Sequence, residues 1–97
     1  MQVLIRYKLK PAEIQRNLEL LHDVYEELET VQPDGLREAT FQLDDEVSFV
    51  TFVDVPDGPE VLRHLDAFQH YRSTLDERCV EPPSLTVLHE VGAFRFH

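Results

Sequence analysis

Two strand-like segments in the middle of the chain constrain the fold more than any other feature. The runs LREATFQLD (36–44) and VSFVTFVDV (47–55) are rich in aromatic and β-branched residues, which favour strands. Only Asp45 and Glu46 separate the two runs, so the strands must pair as an antiparallel hairpin. The rest of the chain has to be arranged around this hairpin.

The segment before the hairpin predicts a strand followed by a helix. Residues 2–9 alternate between apolar and more polar side chains, and this period of two predicts a strand. After Pro11, apolar residues recur at intervals of three and four, which is typical of an amphipathic helix. That apolar stripe consists of Ile14, Leu18, Leu21, Tyr25 and Leu28. The turn-forming sequence QPDG (32–35) ends the helix.

The segment after the hairpin predicts a second helix and a final strand. PDGP (56–59) interrupts the second hairpin strand, and the prolines of EPP (81–83) stop the helix that follows. The closing run SLTVLHEVGAFRF (84–96) predicts a long strand. The order β-α-β-β-α-β predicts an α+β, ferredoxin-like fold, in which a four-stranded antiparallel sheet carries both helices on one face.

Length and charge limit the number of domains and the kinds of partner. The 97 residues suffice for a single domain over residues 1–97. The net charge of -10 disfavours nucleic acid, and no apolar run is long enough to span a membrane. With one cysteine and no signal-peptide pattern, we expect a soluble, cytoplasmic protein that binds neither nucleic acid nor a membrane.

The predicted strands carry apolar residues on both faces, although two helices can cover only one. In the second hairpin strand, Val50 and Phe52 alternate with Phe49 and Val53. An uncovered sheet face with several large apolar side chains requires a partner. We therefore expect a two-fold homodimer in which the open sheet faces pack together.

These features resemble the dimeric α/β-barrel superfamily, and in particular its antibiotic-biosynthesis monooxygenase-like branch. The helix sequence DAFQHYRS (66–73) is similar to a helix of that branch in which a histidine precedes a serine by three residues, as His70 precedes Ser73. The closing EVGAFRF (90–96) is similar to the family's last strand, which helps to build the dimer. The resemblance implies two sheets that pair as a dimeric α/β barrel, with a cavity for a small apolar or aromatic ligand in each subunit.

The resemblance also suggests an activity. The superfamily includes cofactor-independent oxygenases of quinol-like aromatics, haem-degrading enzymes and isomerases. The chain has no tryptophan, and its first strand lacks the asparagine that the haem-degrading group uses, which argues against haem degradation. We therefore expect a cofactor-free monooxygenase of a small quinol- or phenol-like aromatic. The alternative is a non-catalytic dimeric module that binds a small ligand or simply assembles.

The second helix contributes three candidate catalytic residues. Helical projection places Arg72 within the apolar stripe and His64 at its edge, whereas only the family pattern points to His70. Arg72 either covers the core and pairs with Asp76 or with a strand residue, or binds an anionic oxygen in the cavity. His64 is a candidate base. The two histidines lie about 120° apart around the helix, so they cannot hold a metal together, and we expect no metal or cofactor.

The remaining candidates lie on strands or fill the predicted pocket. His89 shares a strand face with Val87, so it is either a hydrogen-bonded core residue or a base that lines the pocket. Tyr7 and Tyr71 either donate phenolic hydrogens to an aromatic ligand or fill the core. The predicted ligand-binding residues are Tyr7, Tyr71, Phe68 and Phe52.

Overall fold

Four strands and two principal helices make up the fold in the computed structural model, which describes residues 1–56 and 58–96. The elements are β1 (Gln2–Leu9), α1 (Ile14–Val31), β2 (Arg37–Gln42), β3 (Ser48–Asp54), α2 (Asp66–Ser73), the short α3 (Leu75–Arg78) and β4 (Cys79–Leu88). Short 3-10 helices at Pro11–Glu13 and Pro59–His64 precede α1 and α2. None of the helices among the described residues is both long and apolar enough to cross a membrane.

The strands form one antiparallel sheet in the order β2-β3-β1-β4. The hairpin of β2 and β3 lies on one side of β1, and β4 pairs with the other side of β1. Together with the helix between β1 and β2 and the helices between β3 and β4, this confirms the predicted ferredoxin-like fold.

One face of the sheet, which we call the inner face, packs against the helices. Directly paired residues point to the same face of a sheet, so the register defines rows of side chains that cross it. One inner row contains Glu38, Val53, Val3 and Val87, and the next contains Thr40, Thr51, Ile5 and Leu85. A third inner row contains the stacked rings of Tyr7 and Phe49, whose centroids are 5.5 Å apart.

The main core lies at the end of the inner face where β1 finishes. Large side chains fill the space between the sheet and the helices at this end. The buried residues are Tyr7, Leu9, Leu20, Leu21, Val24, Phe49, Tyr71 and Leu75. A smaller cluster of Val3, Val53 and Val55 lies at the end where β1 begins.

The opposite face of the sheet, which we call the outer face, carries both apolar and polar side chains, and no helix among the described residues covers it. Phe41 is 57 % exposed, and the ring edge of Phe96 meets the half-buried Phe52 at a centroid distance of 6.1 Å. The outer-face residues at paired positions also include Leu4, Ala39, Val50 and Leu88. The homodimer that we expect through this face stays a prediction, as does the single-domain organisation.

The last third of the chain differs from the sequence prediction in two ways. The helix ends at Arg78, before the prolines, and Pro82 and Pro83 lie within β4, an edge strand where a missing N–H is tolerated. The predicted strand over 84–96 is wrong beyond Leu88. Leu88 pairs with Gln2, the first residue of β1, so the neighbouring strand offers no further partner.

Candidate functional site

A cavity of about 340 Å³ lies between the inner face and the helices. It lies at the end of the sheet where the inner rows contain valine and threonine, whereas Tyr7 and Phe49 fill the other end. Its lining is mostly apolar and includes Val3, Ile5, Leu21, Val24, Val53 and Phe68. The cavity can therefore hold a small apolar or aromatic ligand.

Glu38 places a carboxyl group in the wall of this cavity. It lies on β2 opposite Val53, so strand alternation directs its side chain to the inner face. Its Oε2 atom is buried and has no hydrogen-bond partner among the described residues. Burial raises the pKa of Glu38 to about 7, because the apolar surroundings disfavour the charged form. Glu38 can therefore take up or release a proton near neutral pH.

Three hydroxyl groups form a hydrogen-bonded chain on the next inner row. The Tyr25 hydroxyl lies 2.7 Å from Thr40 Oγ1, which lies 2.8 Å from Thr51 Oγ1. Burial raises the pKa of Tyr25, so its phenol stays protonated at neutral pH. When Tyr25 donates to Thr40 and Thr40 donates to Thr51, the Thr51 hydrogen is left to donate into the cavity, which both threonines line.

Glu38 also borders a second cleft, outside the inner cavity. This cleft lies beside the end of α1 and is lined by Tyr25, Gln32 and Asp34 as well as Glu38. The polar lining of the cleft contrasts with the apolar lining of the cavity. A proton on Glu38 is therefore close to both an apolar ligand space and a polar surface.

Two arginines line the same cavity from the helical side. Arg72 Nη1 lies 3.4 Å from Asp76 Oδ1, and the Arg72 side chain is 51 % exposed. Arg63 Nη1 lies 3.1 Å from Glu60 Oε2. Arg72 thus pairs with Asp76, as its predicted structural role requires. It also lines the cavity, as its predicted anion-binding role requires.

Tyr71 borders the cavity, but its hydroxyl group is engaged elsewhere. It donates to the Tyr7 hydroxyl over 2.7 Å, and Asn17 Nδ2 donates to the same Tyr7 oxygen over 3.0 Å. Burial raises the pKa of both tyrosines. Tyr7 is 1 % exposed and is not among the residues that line the cavity. Tyr7 therefore does not contact the cavity directly, although the sequence predicts it to bind a ligand.

Buried Arg78 completes this polar cluster. Its Nε donates to Asn17 Oδ1 over 3.1 Å, its Nη2 donates to the Tyr71 carbonyl over 3.0 Å, and its Nη1 donates to Thr74. The guanidinium also lies 5.4 Å from the centre of the Tyr71 ring. The cluster joins β1, α1, α2 and α3, and its hydrogen bonds are satisfied within the protein.

The predicted histidines are not brought together. His64 lies in the 3-10 helix and His70 on α2, and both are exposed and absent from the described cavity lining. His89 follows β4 and lines a separate cleft with Phe52 and Phe96. The cavity thus gathers Arg72, Phe68 and Tyr71 from the predicted set. Catalytic roles for the histidines stay predictions.

Glu38 is the site residue that the sequence analysis missed, although a signal was available. A turn centred on 45–46, as the sequence predicts, fixes the hairpin register and places Glu38 opposite Val53. In the structure the connection is longer than predicted and spans residues 43–47. A carboxylate paired with an apolar residue on a buried sheet face, as Glu38 is paired with Val53, indicates a candidate site residue. Within residues 1–56 and 58–96, no three histidine, cysteine or acidic side chains are grouped so that they could hold a metal ion.

The fold resembles several solved structures, although the sequence matches no family model and no curated protein. A crystal structure of an antibiotic biosynthesis monooxygenase is 17% identical, with a TM-score of 0.74 over 94% of this chain and 98% of that chain. Rv0793 from Mycobacterium tuberculosis is 20% identical, with a TM-score of 0.66 over 95% of each chain.

A conserved protein from Methanosarcina mazei extends this similarity to a chain without a stated activity. It is 18% identical, with a TM-score of 0.70 over 88% of this chain and 86% of that chain. At such identities the likeness concerns the fold. The chain has the ferredoxin-like fold of the antibiotic biosynthesis monooxygenase-like proteins.

Proposed function

We propose that this protein is a cofactor-independent monooxygenase that acts on a small phenol- or quinol-like aromatic bound in the inner cavity. The observation that carries the proposal is the buried Glu38 Oε2 atom, which lacks a hydrogen-bond partner among the described residues and belongs to a carboxyl group in the wall of a mostly apolar cavity. Oxygenation without a cofactor needs a base that removes a proton from the substrate. The similarity in fold to a protein named as an antibiotic biosynthesis monooxygenase supports the same reaction class.

The apolar lining provides the binding energy for an aromatic ring, and the polar groups orient it. A ring placed against Phe68 and the valines of the cavity can direct its hydroxyl group toward β2, where Glu38 and the threonines lie. The carboxylate form of Glu38 accepts the phenolic proton. Thr51 donates a hydrogen bond to the phenolate oxygen and so stabilises its charge.

The phenolate is electron-rich enough to reduce dioxygen directly. A bond forms between oxygen and a ring carbon, ortho or para to the phenolate, that carries a hydrogen atom. The proton taken up by Glu38 then passes to the resulting peroxide anion, which gives a hydroperoxide at that carbon. Loss of the proton from the same carbon and cleavage of the O–O bond release water and leave a carbonyl. One atom of dioxygen enters the quinone product and the other leaves as water. Because its proton ends in the water that is released, Glu38 returns to the carboxylate form for the next turnover.

The proposal includes the predicted homodimer. The exposed aromatic side chains of the outer face, including Phe41, give that face an apolar surface that a second copy of the chain would cover. The inner cavity lies on the opposite side of the sheet, so pairing of the outer faces leaves the cavity open to a ligand. A cytoplasmic location is a further prediction from the sequence.

The test is oxygen consumption with a panel of quinols and hydroxynaphthalenes. We expect uptake by the wild-type protein to increase as the pH rises through about 7, because Glu38 acts as a base only when deprotonated. Glu38→Gln should lower kcat by about 100-fold or more, the usual contribution of a general base. Glu77→Gln, a change at an exposed carboxylate, serves as the matched control.

Two results would contradict the proposal. Oxygen uptake no greater than in protein-free buffer for the whole panel would favour the non-catalytic ligand-binding module. Full activity of Glu38→Gln with a loss in His89→Ala would assign the base to the predicted histidine instead.

A further inference from the structure

We infer that the ligand of the inner cavity is a hydroxyaryl carboxylic acid, whose carboxylate is held by Arg63 and Arg72 while its hydroxyl group faces Glu38. The inference rests on the proposed function, because it takes the inner cavity as the ligand site, and it adds the substrate class.

The charge distribution sets these two arginines apart. The chain has nine lysines and arginines against nineteen acidic residues, yet two of the nine line one small, mostly apolar cavity. Packing of the cavity wall does not require two guanidinium groups. An anionic group on the ligand gives them a function, because guanidinium presents a fork of donors that matches a carboxylate.

The present partners of both arginines can be exchanged for a ligand. Arg63 pairs with Glu60, three residues earlier, and Arg72 pairs with Asp76, four residues later, and all four side chains are more than half exposed. Exposed ion pairs of this kind contribute about 0–1 kcal/mol. A ligand carboxylate that enters the cavity mouth therefore competes with weak interactions, and the unused guanidinium donors remain for it.

Glu38 and Arg72 lie toward opposite edges of the sheet. Glu38 lies on β2, one edge strand, whereas Arg72 pairs with Asp76 on α3, which packs against β4, the other edge strand. The cavity lining includes a residue of each strand in a single row, from Thr40 to Leu85. With strands about 4.8 Å apart, four strands span about 14 Å.

This span suits an aromatic acid whose two polar groups lie at opposite ends. A fused two-ring system with a hydroxyl group at one end and a carboxylate at the other can contact Glu38 and the arginines at once. A neutral aromatic would make no charge-assisted contact with the arginines, and a cationic one would be repelled by them.

Three fluorescent naphthalenes separate the two contacts. The probes are 6-hydroxy-2-naphthoate, 2-naphthol, which lacks the acid, and 2-naphthoate, which lacks the hydroxyl group. We expect the wild-type protein to bind 6-hydroxy-2-naphthoate about 10-fold more tightly than 2-naphthol, the gain typical of a charge-assisted hydrogen-bonded pair. Titration of probe fluorescence at neutral pH measures each Kd.

Variants identify the groups responsible. The double variant Arg63→Gln/Arg72→Gln should raise the Kd of both naphthoates about 10-fold and leave the Kd of 2-naphthol unchanged. Arg16→Gln, which removes an exposed arginine paired with Glu19 on α1, is the matched control. Because both cavity arginines are largely exposed, the fold should survive, and the probe comparison on the wild-type protein is independent of any variant.

The outcomes distinguish this inference from the proposed function. If 2-naphthol binds as tightly as the hydroxy acid and the double variant changes no Kd, the acid-binding role is overturned while the cavity remains a ligand site. If none of the three probes binds up to its solubility limit, both the acid-binding role and the assignment of the cavity are overturned.

Discussion

The two ends of the inner face both bury polar side chains, but they treat them differently. At the closed end, Tyr7, Asn17, Tyr71 and Arg78 form a compact hydrogen-bonded cluster within the main core. At the hollow end, which contains Glu38, Tyr25, Thr40 and Thr51, the hydroxyl groups pair with one another, whereas Glu38 Oε2 has no partner among residues 1–56 and 58–96. The space between the sheet and the helices thus contains one polar cluster whose side chains are hydrogen-bonded and one polar group that includes an unpaired oxygen.

The closed end illustrates how a buried charge is tolerated. Arg78 is 4 % exposed, and its donors reach a side-chain amide, a backbone carbonyl and a hydroxyl group. The acceptor at Tyr71 lies near the end of α2, where carbonyl groups lack intrahelical partners and a cation is favoured. Its contacts cross from α3 to α1 and α2, so its role is to hold the helices together.

The hollow end lacks such compensation. The buried Oε2 atom of Glu38 has no hydrogen-bond partner among the described residues, and the loss of its hydration destabilises the folded protein. Native proteins pair nearly all such groups, and exceptions concentrate at functional sites. The hydrogen-bonded cluster around Arg78 therefore stabilises the fold, whereas the Glu38 carboxyl group is available to a ligand.

The largest expected effect is at the closed end. Arg78→Ala removes the donors to Asn17, Thr74 and the Tyr71 carbonyl, and leaves buried acceptors unpaired. We expect the free energy of unfolding to fall by about 3 kcal/mol, measured by urea denaturation. Arg16→Ala, at an exposed ion pair on α1, should change it by less than about 0.5 kcal/mol. Equal effects of the two substitutions would remove the distinction between a structural cluster and surface charge.

A smaller effect compares two tyrosines, one at each end. Tyr7→Phe removes an oxygen that accepts from both Asn17 and Tyr71, and should cost about 2 kcal/mol. Tyr25→Phe removes a single bond to Thr40, which keeps its bond to Thr51, and should cost about 1 kcal/mol. Thermal and urea unfolding of both variants measure the difference. A larger loss for Tyr25→Phe would mean that the hollow end is the more tightly built of the two.

Periodicity predicted most of the fold because it reports which side chains are buried. The alternation in residues 2–9 and the two-residue connection at 45–46 led to the observed β1 and to the hairpin of β2 and β3. The end of β4 could not be read from residues 84–96, because pairing stops where β1 begins. Pro82 and Pro83 do not mark the end of the helix, because they lie within β4, whose edge position accommodates them.

The candidate site was harder to predict because it depends on empty space. Helical projection identified Arg72 and Phe68, which line the cavity, but the sequence does not indicate where small side chains leave a void. Histidine is the usual candidate for a base because its ordinary pKa lies near neutral pH. The pKa of Glu38 moves into the same range only through burial, which a sequence reveals only after the strand register is known.

The pH dependence of stability follows from the same burial. The pKa of Glu38 is higher in the folded protein than its ordinary value of 4.5, so folding takes up a proton between those two pH values. The stabilisation from the protonated form is fully present below about pH 4.5 and is lost as the pH rises through about 7. Glu38→Gln should lack this dependence.

NMR titration of the Glu38 side-chain carboxyl carbon measures directly whether burial brings the pKa of this acid close to neutral pH. Protein labelled with ¹³C-glutamate is titrated, and the Glu38 signal is assigned by its loss in Glu38→Gln. We predict a midpoint of about 7, well above the ordinary value of 4.5. A midpoint near the ordinary value of 4.5 would show that the carboxyl group is hydrated or paired, and would contradict the account.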